Sequence, residues 1–132
     1  MGTDMGRVLQ ALGRFAGAIL ILAGLGGCGE SGEASQRLVD GNPDLGKVAI
    51  LHYDCGVCHT IPGVRGAEGT VGPPLTDFGL RTYIAGVAPN RPGLLVRWIQ
   101  DPPAIAPDTA MPNLGVSDEE ARHIAAYLYT LR

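Results

Sequence analysis

The stretch "DCGVCHT", residues 54–60, places two cysteines two residues apart and puts a histidine directly after the second one. Such a pair of thiols can act as a redox dithiol, bind a metal ion, or attach a larger redox group. Each of these sites needs different surroundings in the chain. The rest of the sequence therefore decides which of the three this motif builds.

Length and composition limit the fold and the partners. A chain of 132 residues predicts a single domain. With 2 Phe, 4 Tyr and 1 Trp against 20 Gly and 10 Pro, aromatic side chains alone would fill a core poorly. The net charge is -3 and the basic residues are spread along the chain, which excludes a nucleic-acid-binding surface.

The first segment has the pattern of a secretory signal peptide. Arg7 and Arg14 precede the uncharged run "FAGAILILAGLGG", residues 15–27. This run is shorter than the roughly 20 residues that span a bilayer as a helix. A buried N-terminal helix is the alternative, but the run has frequent glycines and no polar face. We therefore predict that residues 1–27 are a signal peptide.

The end of this segment, "LGGC" at residues 25–28, resembles the bacterial lipobox, in which the cysteine is acylated and becomes the first residue of the mature chain. The resemblance implies lipidation of Cys28 and an anchored protein on the periplasmic, extracytoplasmic face of a membrane in the cell envelope. Residues 28–43 are small, polar and glycine-rich, as in a flexible tether. The folded domain is then expected at residues 44–132.

Two of the three readings of the motif lack support elsewhere in the chain. A thioredoxin-like dithiol should open a helix that follows a strand, yet "DLGKVAILHYDC" has helical spacing and no later segment offers alternating strands. A structural zinc site usually needs four ligands. After Cys58, the only further candidates are the adjacent His59 and the distant His123.

Covalent haem attachment explains all parts of the motif. Cys-x-x-Cys-His is its specific signature. Cys55 and Cys58 can each form a thioether with one vinyl group of a haem, and His59 can then bind the iron. Because the motif occurs once, one covalent haem c is predicted. If Cys28 carries lipid, no cysteine remains for a disulfide.

A ligand for the opposite side of the iron follows by elimination. Once residues 1–27 are removed, Met111 is the only methionine. It stands directly before Pro112 in "PDTAMPNLG", which cannot be the interior of a helix, so Met111 does not fit the pattern of a core side chain. We predict Met111 as the distal ligand. His52 lies too close to the motif to reach that side, and His123 is the remaining rival.

Three helices are predicted in the folded domain. The first covers residues 44–54, the second covers residues 92–101 and ends at the two prolines that follow, and the third begins at Ser117 and runs to the C-terminal end. Glu120 stands where it can complete a capping box with Ser117. Residues 60–93 are rich in Gly and Pro and predict a long loop with one short helical turn, which we expect to wrap a bound group.

In this order, the features resemble a class I cytochrome c over residues 44–132: the motif helix, the sequence "GPPL" at residues 72–75, a Trp-bearing helix before Met111, and a final amphipathic helix. The resemblance implies an all-α fold of about three main helices, with loops wrapped around one covalently bound haem. It also implies that the first and last helices pack together, with Tyr127 and Leu128 at the contact.

The resemblance assigns roles around the haem. The carbonyl of Pro73 would accept the ring N–H of His59 and hold its tautomer. Trp98 would lie near the haem edge or a propionate. Arg81 and Tyr83 are weaker candidates for contacts with the propionates.

The function implied is single-electron transfer by Fe(II)/Fe(III) cycling between respiratory-chain components, without enzyme activity or a small-molecule substrate. The expected partners are a quinol-oxidising complex and a terminal oxidase or reductase. Lys47 is the only lysine, so the lysine ring of mitochondrial-type carriers is missing and an apolar contact with a few arginines is expected. The alternatives are a permanent haem subunit of an oxidase, reductase or quinol-oxidising complex, and an open-site sensor or peroxidase-like haem protein.

Overall fold

The computed structural model describes residues 39–132, which contain α-helices, short 3-10 helices and one small hairpin. The helices are α1 (Pro43–His52), α2 (Pro92–Gln100), α3 (Pro102–Ile105) and α4 (Asp118–Thr130), and the 3-10 helices are Cys55–Val57 and Phe78–Leu80. Strands β1 (Tyr83–Ile84) and β2 (Ala88–Pro89) pair antiparallel. The all-α prediction is confirmed. The predicted signal peptide, Cys28 and most of the tether lie outside the described residues.

Helix α1 begins one residue earlier and ends two residues earlier than predicted. Asn42 caps it, because its Oδ1 accepts from the backbone N–H of Asp44 at 2.8 Å, and Pro43 occupies the first turn. Asp54 adopts a left-handed conformation with φ of 52°, which an aspartate tolerates and a continuing helix does not. The chain turns there into the 3-10 helix that carries the motif.

The first and last main helices contact each other at backbone distance, as predicted. A Cβ atom added to Gly46 of α1 would lie 1.9 Å from the carbonyl oxygen of His123 in α4. Ala49 and Ile50 are buried on the same helix. The packed region also extends before residue 44, since Val39 is 4% exposed and belongs to the core.

The two residues expected at this helix contact, Tyr127 and Leu128, reach the loop after the motif and the cavity. The hydroxyl of Tyr127 donates to the carbonyl of Pro62 at 2.7 Å and so ties α4 to the loop after the motif. Leu128 is buried and faces an internal cavity. Helix α4 therefore supports the motif region as well as α1.

Hydrogen bonds also join the beginning of α4 to the residue that follows α1. Ser117 caps α4 as predicted, with its Oγ accepting from the backbone N–H of Glu120 at 3.3 Å. The Glu120 carboxylate accepts from the hydroxyls of Ser117 and Tyr53, the latter at 2.7 Å. These bonds, that of Ser117 first, lower the pKa of Glu120. Their stabilising contribution is present above the ordinary carboxyl pKa and is lost as the pH falls through the lowered value.

The middle of the chain contains two elements that the sequence did not predict. Pro102 and Pro103 end α2 as expected, but they also begin α3, because proline suits the first turn of a helix. The predicted loop at residues 60–93 contains the expected helical turn and also the hairpin of β1 and β2. No helix within residues 39–132 is long and apolar enough to cross a membrane.

Asn90 holds the hairpin region against α4. Its Nδ2 donates to the carbonyls of Phe78 at 3.2 Å and Arg81 at 3.0 Å, and its Oδ1 accepts from the hydroxyl of Tyr129 at 2.8 Å. One side chain thus joins segments that are far apart in the sequence. Burial raises the pKa of Tyr129 to about 12, so its hydroxyl stays protonated and able to donate well above neutral pH.

Gly46→Ala should destabilise the protein strongly, because the new Cβ would overlap the α4 backbone. We expect a loss of at least about 2 kcal/mol of unfolding free energy, measured by urea denaturation followed by circular dichroism. Gly93→Ala is the matched control, since Gly93 is also helical but no atom lies within 4 Å of an added Cβ. The control should be neutral or stabilising by up to about 1 kcal/mol. Equal effects would contradict the helix contact.

Candidate cofactor site

A cavity of about 330 Å³ lies between the motif, the following loop and the main helices. This is within the range of small-molecule and cofactor sites, roughly 300–1,000 Å³. Most lining side chains are aliphatic or aromatic: Ile50, Ile61, Val71, Leu75, Phe78, Ile84, Leu95, Trp98, Ile99, Ile124 and Leu128. The lining side chains with a sulfur, nitrogen or oxygen atom are Cys55, Cys58, His59, Arg81, Trp98, Thr109 and Met111. The cavity is therefore an apolar space with a few groups that can bind or attach a cofactor.

The two motif cysteines line this cavity as free thiols. They are held in one tight turn, in which the backbone N–H groups of Cys58 and His59 donate to the carbonyl of Cys55 at 3.3 and 3.0 Å. Burial raises the pKa of the Cys55 thiol. Redox-active dithiols depend on a lowered thiol pKa, so this environment disfavours the dithiol reading.

A structural zinc site is disfavoured as well. Within residues 39–132, no group of three or more His, Cys, Asp and Glu side chains is arranged to hold a metal ion. His123 does not line the cavity: its Nδ1 accepts from the backbone N–H of Asn42 at 2.9 Å, and its Nε2 lies 3.8 Å from a carboxylate oxygen of Glu119. The structure thus argues against His123 as the distal ligand.

His59 is held in one tautomer by the loop that follows it. Its Nδ1 lies 2.8 Å from the carbonyl oxygen of Pro73. Because a carbonyl can only accept, Nδ1 carries the proton and Nε2 keeps a free lone pair for a metal. Gly72 makes this approach possible, since a Cβ there would lie 2.4 Å from the Cε1 atom of His59.

Met111 and Trp98 reach the same cavity from the other part of the chain. Met111 is partly buried, lies in the irregular segment after α3, and donates its backbone N–H to the Oγ1 of Thr109 at 3.2 Å. Trp98 is 6% exposed on α2. The structure therefore brings together all six cofactor-binding residues predicted from the sequence: Cys55, Cys58, His59, Pro73, Trp98 and Met111.

The two weaker candidates for propionate contacts occupy different positions relative to the cavity. Arg81 lines the cavity, donates to the carbonyls of Pro74 and Thr76, and stacks over the ring of Phe78 at 5.5 Å. Tyr83 is 56% exposed and does not line the cavity. Only Arg81 is placed where it could contact an anionic group of a cofactor.

The comparison with known families agrees with this geometry. A model of the cytochrome c family matches residues 43–132. The chain belongs to the cytochrome c family. Residues 43–132 therefore form a cytochrome c domain, a type of domain that holds haem for electron transfer.

Two curated relatives are similar to part of this chain. The chain is 33% identical over 88 residues to a cytochrome c oxidase subunit 2 of Alkalihalophilus pseudofirmus, which covers 66% of this chain and 25% of the relative. It is 30% identical over 88 residues to a cytochrome c oxidase subunit 2 of Bacillus sp. strain PS3, which covers 64% and 25% respectively. The chain thus spans about a quarter of the length of the curated relatives that it matches.

The residues present fit the haem c that the family implies. Two free thiols stand at the spacing for covalent attachment, an imidazole has its Nε2 lone pair available, and a thioether shares the same apolar cavity. Cys55 and Cys58 would hold the haem covalently. His59 and Met111 would bind its iron.

The roles of two residues at the site were not predicted from the sequence. Gly72 was noted as part of a motif, but the space that it leaves for the ring of His59 depends on a contact between separate segments. The contact of Thr109 was predictable from the sequence, because Ser and Thr hydroxyls in irregular segments commonly accept from the backbone N–H two residues later.

Gly72→Ala should displace the His59 ring and break its hydrogen bond to Pro73. We expect a loss of about 1–3 kcal/mol in unfolding free energy of the haem protein and an altered absorption spectrum, because the ligand orientation changes. Gly93→Ala, which also adds one methyl group, should leave the spectrum unchanged. An unaltered spectrum in Gly72→Ala would show that this contact does not orient the ligand.

Proposed function

We propose that this protein is a lipid-anchored c-type cytochrome that carries single electrons between respiratory-chain components and is not an enzyme. The observation that carries the proposal is that both thiols, the His59 imidazole and the Met111 thioether line the same apolar cavity. When bound, the haem supplies an Fe(II)/Fe(III) couple. The one Cys-x-x-Cys-His motif gives one haem c per chain.

Each ligand has a separate effect on this couple. The Pro73 carbonyl makes the His59 imidazole a better electron donor and prevents its rotation. The thioether of Met111 favours the ferrous form, so a relatively high reduction potential is expected. Cys55 and Cys58 would hold the haem covalently.

The apolar lining serves electron transfer directly. Trp98, Leu95 and Ile99 are each at most 6% exposed, and they exclude water from one wall of the cavity. A site with little water favours the less charged redox state and needs little solvent rearrangement when the charge changes. Arg81 is the cationic side chain on the wall, suited to a haem propionate.

The lining favours a carrier over a peroxidase-like or gas-binding protein. Among residues 39–132, His59 is the only imidazole that lines the cavity, and no carboxylate lines it. Acid–base chemistry on the distal side would need such a group in addition to the proximal ligand. Met111 instead offers a sulfur ligand that would occupy the distal position.

The location is proposed from the N-terminal sequence. The apolar run at residues 15–27 followed by Cys28 supports export and acylation. Lipid on Cys28 would hold the domain at the extracytoplasmic face of a membrane, in the periplasm or its equivalent. A short tether would raise the local concentration of the domain near membrane complexes.

The proposed electron donor is a quinol-oxidising complex and the proposed acceptor is a terminal oxidase or reductase. The names of the two relatives, both oxidase subunits, support an oxidase as one partner. With Lys47 as the only lysine, docking would depend on apolar contact more than on positive charge.

A permanent haem subunit of such a complex is the second candidate, and the outward face of α1 favours it. Leu45, Val48 and Leu51 are 50%, 62% and 49% exposed, so this helix is apolar on both sides. Such a face is typical of a helix that contacts another protein. Survival of a complex through gel filtration in mild detergent would favour the subunit, and recovery of a monomer would favour the mobile carrier.

Met111→Ala should open the distal position. The wild-type reduced protein should bind carbon monoxide slowly or incompletely at neutral pH, and its ferric form should show the long-wavelength absorption band of an iron–thioether bond. In Met111→Ala we expect fast, complete binding and loss of this band, because no side chain competes for the iron. Leu114→Ala changes the same loop outside the cavity and should behave like wild type. Fast binding by the wild type would support the open-site alternative instead.

Cys28→Ser should abolish lipid attachment without affecting the haem. Cells grown with an alkyne-tagged fatty acid should label the wild type but not Cys28→Ser, because the acylated sulfur is missing. The reciprocal control, Cys55→Ser with Cys58→Ser, should keep the label and lose the covalent haem. Label retained in Cys28→Ser would contradict the proposed anchor.

A further inference from the structure

The segment that carries Met111 has no secondary structure of its own. Residues 106–117, between α3 and α4, contain neither helix nor strand. Among residues 39–132, no backbone carbonyl accepts the N–H of Met111. A ligand on such a segment would be mobile unless side chains restrict its backbone.

Thr109 supplies this restriction from the N-terminal side. Its backbone N–H donates to the carbonyl of Ala106 at 3.0 Å, and its Oγ1 accepts from the N–H of Met111 at 3.2 Å. This side-chain-to-backbone hydrogen bond spans two residues and closes a turn that ends at Met111. Thr109 is partly buried at the wall of the cavity, so water competes less for the bond.

Pro112 restricts the same residue from the other side. The residue before a proline is held in an extended conformation, which limits Met111 to a small part of its backbone range. Thr109 therefore restrains the peptide group before Met111, and Pro112 restricts its backbone from the C-terminal side. Of these two residues, only Thr109 acts through a hydrogen bond, which a conservative substitution can remove.

We infer that Thr109 is a positioning residue that keeps Met111 in its ligating conformation. The inference rests on the proposed ligation by Met111. Without the hydroxyl, the Met111 N–H loses its acceptor, and the loop populates conformations in which the sulfur is away from the iron. An external ligand then finds the iron accessible more often, and its apparent affinity rises in proportion to that open fraction.

The experiment uses the ferric haem protein and imidazole as the competing ligand. Imidazole replaces the thioether, so an iron–sulfur bond breaks and an iron–nitrogen bond forms, which the absorption spectrum reports. Thr109→Val keeps the side-chain shape and removes the hydroxyl, and Thr109→Ser keeps the hydroxyl. We expect about fivefold tighter apparent imidazole binding in Thr109→Val, as for the loss of one hydrogen bond, and a change of less than about twofold in Thr109→Ser.

Asn113→Ala is the matched control within the loop. Asn113 Oδ1 accepts from the backbone N–H of Gly115 at 2.8 Å, the same kind of turn, but Asn113 is exposed and lies outside the cavity. It should leave imidazole binding within about twofold of wild type. Should Thr109→Val not yield holoprotein, Thr109→Ala removes the same hydroxyl.

Three results would overturn the inference: unchanged imidazole affinity in Thr109→Val, an equal change in Thr109→Ser, or an equal change in Asn113→Ala. The last would mean that general loop order matters and Thr109 has no special role. Failure of the proposed ligation is recognised separately, because the wild type itself would then lack the iron–thioether band. If the wild type shows the band and the Thr109 variants bind imidazole with wild-type affinity, only the role of Thr109 is rejected.

Discussion

The backbone contact between α1 and α4 determines where the cofactor site can form. Gly46 allows the two helices to approach until an added Cβ would overlap the His123 carbonyl. Because the motif follows directly after α1, this contact also sets the position of both cysteines. Helix α4 contributes Ile124 and Leu128 to the cavity, so one helix crossing defines two of its walls.

A Gly- and Pro-rich loop then completes the site without regular structure. Backbone hydrogen bonds join it to the motif, from the Gly69 N–H to the Gly56 carbonyl at 3.0 Å and from the Gly72 N–H to the Cys58 carbonyl at 2.8 Å. These bonds present the Pro73 carbonyl to His59. The orientation of the His59 ring is therefore fixed by the loop.

The helices were predictable to within a few residues because their signals are local. An apolar repeat with a capping serine marks α4, and prolines mark both ends of α2. The start of α1 was missed by one residue although Asn42 and Pro43 form a recognisable cap. Neither the hairpin nor α3 was predicted. For the hairpin the reason is that Asn90 stabilises this region through Tyr129, which is remote in sequence.

The sequence by itself determined the chemistry of the site: two thiols and an imidazole at fixed spacing, and one methionine placed before a proline. Lipidation of Cys28 and removal of the signal peptide also depend on sequence alone and remain predictions. Only the tertiary structure decided that Met111 lines the cavity while His123 bonds to Asn42, and that Gly72 leaves room for the His59 ring. These facts depend on distances between segments far apart in the chain, which the packing of α1 against α4 sets and local spacing does not encode.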